Sequence, residues 1–159
     1  MRIRIVAVGR LKERYLTEGV TEYRRRMTPF ARVEIAEIPE EPFTAGASEA
    51  EVWQVQEREA ARLSRQVPGD SYVIALDRQG RLLTSEGFAS LFADAALVGR
   101  SSFTFLIGGA LGLHPSLLDS AAGVVSFSRL TFPHQLFRLI LIEQLYRAFK
   151  INRGEPYHW

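Results

Sequence analysis

The chain has 159 residues, of which 47% are hydrophobic and 24% charged, with a formal net charge of +2. This length predicts a single domain over residues 1–159 with one hydrophobic core. The absence of cysteine excludes disulfides, zinc–thiolate sites and thiol catalysis. The histidines His114, His134 and His158 have no paired spacing, so we expect no metal site.

Hydropathy predicts neither a membrane span nor a signal peptide. No run of about 18 apolar residues is present. The first residues, Met1-Arg2-Ile3-Arg4-Ile5, alternate charged and apolar side chains, whereas a signal peptide needs a continuous apolar stretch. We therefore expect a cytoplasmic protein.

The basic residues are almost all arginine, since Lys12 and Lys150 are the only lysines. Arginine pairs with phosphate and stacks on bases, so the composition permits an RNA partner. Codon usage in a GC-rich genome explains the same bias equally well. The triplet Arg24-Arg25-Arg26 has two interpretations, a favourable interaction with a helix dipole or a phosphate-binding patch.

Apolar periodicity predicts five strands that alternate with helices. The predicted strands are residues 2–9, 31–38, 71–76, 102–107 and 124–127. The predicted helices are residues 11–27, 48–66, 84–97, 114–122 and 133–151. A turn is predicted at Gln79-Gly80, and Ser48 is a candidate N-cap. This alternation predicts an α/β fold in which a mostly parallel sheet is flanked by helices.

The last predicted helix has apolar residues on more than one face. Such a helix is either central in the fold or buried against a partner subunit.

Three predicted strand ends are candidate ligand sites, because open parallel sheets bind ligands beyond the carboxyl ends of their strands. They are Leu76-Asp77, Gly108-Gly109 and the loop 127–132. The paired glycines either admit a close ligand or form a tight turn. Together the three ends are suited to a flat, partly polar group such as adenine.

The common α/β signatures are absent. A dinucleotide fingerprint belongs in the first strand–turn–helix unit, where only Gly9 is found. Neither the Gly-x-Ser-x-Gly elbow nor a phosphate-binding P-loop occurs.

Several segments in combination carry a more specific signal. They are Leu76-Asp77, Leu106-Ile107-Gly108-Gly109 with Gly112-Leu113, Leu130-Thr131-Phe132-Pro133-His134, Glu143-Gln144-Leu145-Tyr146-Arg147-Ala148 and Tyr157-His158. Val6-Ala7-Val8-Gly9 and Glu22-Tyr23 also fit. Over its whole length, the chain resembles the bacterial ribosomal large subunit methyltransferase H family of the SPOUT superfamily.

The resemblance implies a small homodimer with a C-terminal trefoil knot. It implies methylation of N3 of a pseudouridine in 23S rRNA within the ribosome, with S-adenosylmethionine as donor. It places the donor against Leu76, Gly108, Gly109, Phe127, Ser128, Arg129, Leu130, Thr131 and Phe132. Leu76 and Leu130 would pack on the adenine, although core packing is their alternative interpretation.

The chemistry of the methyl acceptor suggests a role for the C-terminal tail, Tyr157-His158-Trp159. The N3 proton must leave as the nitrogen attacks the methyl group, so alignment and a base or polarising group are needed. His158 titrates near neutral pH, and Tyr157 can hydrogen-bond or stack on a base. We hypothesise that this tail completes the partner subunit's pocket, with a frayed terminus as the alternative. Arg147, Arg153 and Arg129 would contact RNA.

Trp159 departs from the family pattern, since many relatives have a basic residue after the Tyr-His pair. An indole cannot pair with phosphate as a basic side chain does, whereas it can stack on a base. Two other functions stay open at this point. One is a non-enzymatic RNA- or ribosome-binding module, and the other is an α/β nucleotide-binding enzyme of another class.

Overall fold

A computed structural model describes residues 1–157 and contains five strands that alternate with five helices. The strands are β1 (Arg2–Val8), β2 (Arg32–Ile38), β3 (Tyr72–Leu82), β4 (Ser102–Ile107) and β5 (Gly123–Ser126). The helices are α1 (Arg14–Met27), α2 (Glu49–Ser64), α3 (Ser85–Leu97), α4 (Pro115–Ser120) and α5 (His134–Asn152). The predicted alternation is confirmed.

The strands form one sheet in the order β2-β1-β4-β3-β5, and all neighbouring pairs are parallel. The α/β class and the parallel sheet are therefore confirmed. Every residue of β4 is buried, as its continuous apolar run predicts for a central strand covered on both faces. Because all strands point the same way, their carboxyl ends meet at one edge of the sheet.

Helices cover both faces of the sheet. On one face, the core contains residues from α1, α3 and α5 packed on the strand side chains, including Val20, Phe92, Leu141, Phe103 and Phe105. On the other face, residues of α2 and α4 pack on the opposite side of the same strands, including Leu63, Leu117, Val6, Ala75 and Leu106. Each strand thus supplies apolar side chains to two cores, in keeping with its period of two.

The last helix, α5, is central on its face of the sheet. It contacts α1, α3 and β4. Its fully buried apolar residues are Leu141, Ile142, Leu145 and Ala148. A central position in the fold, one of the two interpretations of a helix that is apolar on several faces, therefore accounts for these residues.

The predicted end of the third strand at Leu76 and the predicted turn at Gln79-Gly80 are wrong. β3 continues to Leu82, and Val125 of β5 opposes Leu76 before an irregularity and Arg81 after it. The intervening residues leave the regular ladder, as in a β-bulge.

Gly80 makes this irregularity possible. A Cβ atom there would lie 2.8 Å from the carbonyl carbons of Val124 and Val125. The glycine therefore serves close approach of two strands and not a chain reversal.

Helix starts agree with sequence signals where a local cap exists. Ser48 forms a capping box with Glu51 at the start of α2, which confirms the predicted N-cap. The start of α1 was predicted three residues too early, because long-range contacts hold the preceding segment. The amide of Leu11 donates to Glu37, and that of Lys12 donates to Gln135.

Candidate functional site

A cavity of about 860 Å³ lies at the carboxyl ends of β4 and β5 and beside the irregular middle part of β3. Its lining includes residues 76–79, 107–113 and 130–134, together with Phe127 and Ser128. This volume is within the usual range of small-molecule sites. The three predicted strand ends therefore meet around one space.

The segment after β4 is a compact turn. Gly109 and Gly112 form an isolated antiparallel bridge, in which the amide of Gly112 donates to the carbonyl of Gly109 at 3.1 Å. A Cβ atom on Gly108 would lie 2.7 Å from the carbonyl carbon of Gly112. The turn itself therefore requires glycine at position 108. The tight-turn interpretation of the Gly-Gly pair is therefore confirmed. The turn also leaves main chain along the cavity wall, and ligand binding by these glycines stays a prediction.

The loop 127–132 forms a second wall. The hydroxyl of Ser128 accepts a hydrogen bond from the amide of Leu130 at 2.9 Å, which shapes the loop locally. The hydroxyl of Ser126 is 3.0 Å from both the Ser128 and the Arg78 carbonyls, which ties the loop to β3. Leu130 lines the cavity and is 72% exposed. Residues 1–157 leave most of this apolar side chain uncovered.

Arg129 differs from its neighbours in this loop. Its guanidinium donates to the carbonyl oxygens of Arg78 and Gly80, and it does not line the cavity. It fastens the loop to the irregular part of β3. The other predicted donor-site residues do line the cavity: Leu76, Gly108, Gly109, Phe127, Ser128, Leu130, Thr131 and Phe132. Donor binding by any of them stays a prediction.

Gln56 also lines the cavity and was not singled out from the sequence. Its side-chain amide donates to the carbonyl of Leu111 at 2.6 Å, so α2 supports the glycine turn from the side. A glutamine inside a helix has no local signal of such a role, because the contact spans 55 residues. Only the packing of α2 against the sheet reveals it.

The carboxyl end of β1 is closed by a buried arginine that the sequence analysis did not identify. Arg138 of α5 is fully buried and donates to the carbonyls of Val8 and Gly9 at 2.7 Å each. It also pairs with Glu37 at 2.6 Å. Burial lowers the pKa of Arg138 from its usual value, although the Glu37 carboxylate opposes this shift. This contact fixes the first turns of α5 beside the cavity.

Glu59 lies between this closed end and the glycine turn. It is buried, and it accepts a hydrogen bond from the amide of Glu41 at 3.0 Å. One of its carboxylate oxygens lies 3.3 Å from where a Cβ atom of Gly109 would be. Burial raises the pKa of Glu59, because an ionised carboxylate is poorly solvated there.

The described part of the tail packs on its own subunit, away from the cavity. The Tyr157 hydroxyl donates to Glu143 at 3.1 Å and lies 3.2 Å from the Tyr23 hydroxyl. Arg147 lies 4.8 Å above the Tyr157 ring and pairs with Glu143 at 2.7 Å. Burial is the main cause that raises the pKa of Tyr157 above its usual value. The phenol therefore stays protonated and acts as a donor.

Neither Tyr157 nor Arg147 lines the cavity of its own subunit. His158 and Trp159 lie outside the described residues, so the predicted role of His158 stays a prediction. Within residues 1–157, no group of three or more metal-ligating side chains is found. In the same part of the chain, no helix is both long and apolar enough to span a membrane.

Comparisons with known proteins agree with this arrangement. The family model "Predicted SPOUT methyltransferase" matches residues 1–158. Proteins named ribosomal RNA large subunit methyltransferase H are similar over 99% of both chains, with 49% identity in Listeria monocytogenes and 51% in Symbiobacterium thermophilum.

A solved structure supports the fold alone. The structure of a probable methylase family protein from Haemophilus influenzae has a TM-score of 0.51 and 11% identity, and the match covers 99% of this chain and 70% of that one. The family match and the full-length relatives decide the assignment. The chain is a methyltransferase, and it belongs to the SPOUT methyltransferases and, within them, to the ribosomal RNA large subunit methyltransferase H family.

Proposed function

We propose that this enzyme transfers a methyl group from S-adenosylmethionine to N3 of a pseudouridine in 23S rRNA, in the ribosome of the cytoplasm. The observation that carries the proposal is the cavity beside β3 and at the ends of β4 and β5, whose walls are the segments that the family resemblance assigns to the donor. The names of the full-length relatives support ribosomal RNA as the substrate.

The residues of the cavity fit the donor. Adenosine needs apolar faces and polar main-chain edges, and the cavity offers both. Leu76 and the exposed Leu130 would pack on the two faces of the adenine, while the turn at Gly108 and the loop 127–132 would present main-chain groups to its edge. When bound, S-adenosylmethionine supplies an electrophilic methyl group attached to a positively charged sulfur.

The acceptor requires the removal of one proton. As N3 of the base forms its bond to the methyl carbon, the carbon–sulfur bond breaks and the N3 proton must pass to a base. We assign this proton to His158, because imidazole is the side chain best suited to proton transfer at neutral pH. Tyr157 is better suited to donate a hydrogen bond than to accept this proton, because its hydroxyl donates to Glu143 and burial raises its pKa. It would orient the target base by hydrogen bonding or stacking, with Arg147 beside it.

The tail would act on the partner subunit of a homodimer. Tyr157 packs against Glu143 and Tyr23 of its own chain and does not line its own cavity, so in this proposal each cavity is completed by the tail of the other subunit. In line with the family resemblance, we also propose the C-terminal trefoil knot. We assign to Arg147 and Arg153 a contact with RNA near the target base.

Mass spectrometry of 23S rRNA tests the proposal directly. Cells that lack the gene are complemented with the unmodified chain or with His158→Ala, and pseudouridine methylation is measured in each strain. We expect loss of the methyl group without the gene, its return with the unmodified chain, and no return with His158→Ala. Calorimetry with S-adenosylmethionine is the accompanying control, in which both purified proteins should bind the donor. An unchanged rRNA in the deletion strain would refute the assignment.

A further inference from the structure

The last turn of α1 carries three exposed arginines, Arg24, Arg25 and Arg26. A single carboxylate lies among them. Glu22 pairs with Arg25 at 2.9 Å and with Arg26 at 2.7 Å, and among residues 1–157 Arg24 has no carboxylate partner. The arginines lower the pKa of Glu22 to about 2, so the carboxylate stays ionised and orients two guanidinium groups. The turn keeps an excess of two positive charges.

A groove of about 380 Å³ adjoins this turn, between the end of α1 and the start of β2. Arg24, Arg25 and Arg32 line it, together with Thr21, Thr28, Ala31 and Val33. Concave surfaces of one charge sign concentrate the field and attract ions of opposite charge. Arginine is also the side chain best matched to phosphate, because its donors form a planar fork.

The other side of the same turn reaches the tail. Arg26 lies 5.3 Å above the ring of Tyr23, whose hydroxyl is 3.2 Å from that of Tyr157. Close by, Arg153 lies 4.3 Å above the ring of Phe30 and donates to the carbonyl of Pro29. Positive charge and aromatic rings therefore continue from the groove to the residues that we propose to contact the target base. Such alternation is typical of surfaces that bind RNA.

From this geometry we propose that Arg24, Arg25, Arg26 and Arg32, which we call the α1 arginine surface, bind backbone phosphates of the substrate RNA. The inference rests on the proposed function, since it assumes an RNA substrate that meets the tail. The surface lies at the amino end of β2, whereas the cavity lies toward the carboxyl ends of the parallel strands. A seven-residue strand such as β2 spans about 20 Å, which is roughly the separation of the two. The α1 arginine surface would hold the RNA and take no part in donor binding.

Helix α2 offers a matched control on the opposite face of the sheet. Glu41 pairs there with Arg58 at 2.8 Å and with Arg62 at 2.6 Å, while Arg65 has no carboxylate partner in the described part of the chain. This cluster, like the α1 turn, has three arginines and one paired carboxylate, although Glu41 is more buried than Glu22. The α2 arginines, however, line neither described groove and lie away from the tail.

The test compares two triple variants of the full chain, Arg24→Gln/Arg25→Gln/Arg26→Gln and Arg58→Gln/Arg62→Gln/Arg65→Gln. Methyl transfer to ribosomes from a strain lacking the gene gives kcat and KM, and sedimentation with the same ribosomes at several salt concentrations gives binding. For the α1 variant we expect KM for ribosomes to rise about tenfold or more with kcat unchanged. Its salt slope should fall by about 2, as for lost phosphate contacts. The α2 variant should match the unmodified chain.

The outcomes separate the two proposals. Equal losses in both variants, or an α1 variant that binds ribosomes normally, would overturn the α1 arginine surface while leaving the methyltransferase assignment intact. The proposed function would instead be refuted if the unmodified chain neither bound S-adenosylmethionine nor methylated ribosomes. In that case, comparing its ribosome sedimentation with that of the α1 variant would still test the α1 arginine surface. Calorimetry with S-adenosylmethionine should give the same affinity for all three proteins, which shows that the variants are folded.

Discussion

The two halves of one sheet edge differ in how their strand ends are used. At β1, the carboxyl end is filled by Arg138, which occupies the carbonyls of Val8 and Gly9. After β4 and β5 the chain turns away, and an open cavity lies there beside the irregular part of β3. Both regions present main-chain polar groups that need hydrogen-bond partners. Arg138 supplies the partners at the end of β1, whereas the main-chain groups along the cavity are open to a ligand.

The largest expected effect comes from opening the closed half. Arg138→Met would remove the cation paired with Glu37 and the donor to the buried carbonyls of Val8 and Gly9, so we expect a loss of about 3 kcal/mol in the free energy of unfolding. Urea denaturation measures it. Arg14→Met is the control, because the pair of Arg14 with Glu18 is exposed and should contribute less than about 0.5 kcal/mol. Equal small losses in both variants would show that the closed end does not depend on this arginine.

The turn of the open half should be the next most sensitive. In Gly108→Ala, the new methyl group would lie within 3 Å of the backbone of Gly112 and Leu113, which forces the turn to move. We expect a loss of about 2 kcal/mol in stability together with weaker binding of S-adenosylmethionine by calorimetry. Gly69→Ala is the matched control, since nothing lies within 4 Å of its Cβ position. If Gly108→Ala loses stability but binds S-adenosylmethionine as tightly as the unmodified chain does, the glycine turn is not part of the donor site.

A third substitution separates binding from folding in the open half. Leu130→Ala should change the free energy of unfolding by less than about 0.5 kcal/mol, since the side chain is mostly exposed. We expect the same change to weaken S-adenosylmethionine binding by about 1 kcal/mol through lost apolar contact. Leu97→Ala, at an exposed position at the end of α3, should alter neither quantity. If the Leu130→Ala protein binds S-adenosylmethionine with unchanged affinity, Leu130 does not pack on the adenine.

The smallest effect concerns Glu59, at the boundary of the two halves. Because its folded-state pKa is raised, the folded chain holds this proton to higher pH than the unfolded chain does. Stability should therefore fall as pH rises from about 4, the unfolded value, through the folded pKa. Glu59→Gln should remove that part of the slope above about pH 4, whereas Glu57→Gln on the exposed side of α2 should retain it. Identical slopes in Glu59→Gln and the unmodified chain would contradict this assignment.

Local patterns predicted much of the architecture. Apolar periodicity placed all five strands and five helices, because burial on a sheet face or helix face imposes period 2 or 3.6 whatever the partner is. Errors occurred where distant contacts act. Gly80 looks like a turn in sequence, and only its approach to Val124 and Val125 shows why the strand continues.

Part of the candidate site could also be predicted from local sequence patterns. The strand ends before Gly108 and Phe127 follow from the alternation of elements, since parallel strands end on the same side of the sheet. Leu76 was correctly placed at the cavity, although β3 does not end there. The roles of Arg129 and Arg138 were not predictable. Each side chain satisfies main-chain carbonyls far away in sequence, and the identity of an arginine does not reveal which carbonyls it will meet.

The sequence by itself therefore determined the element order, the fold class and the family, because these depend on local burial patterns and on motif identity. The tertiary structure decided which strand ends stay open. That outcome depends on side chains brought together across more than 100 residues, such as Arg138 and Glu37. Satisfying buried polar groups is a property of the assembled fold, and no short segment of the chain contains it.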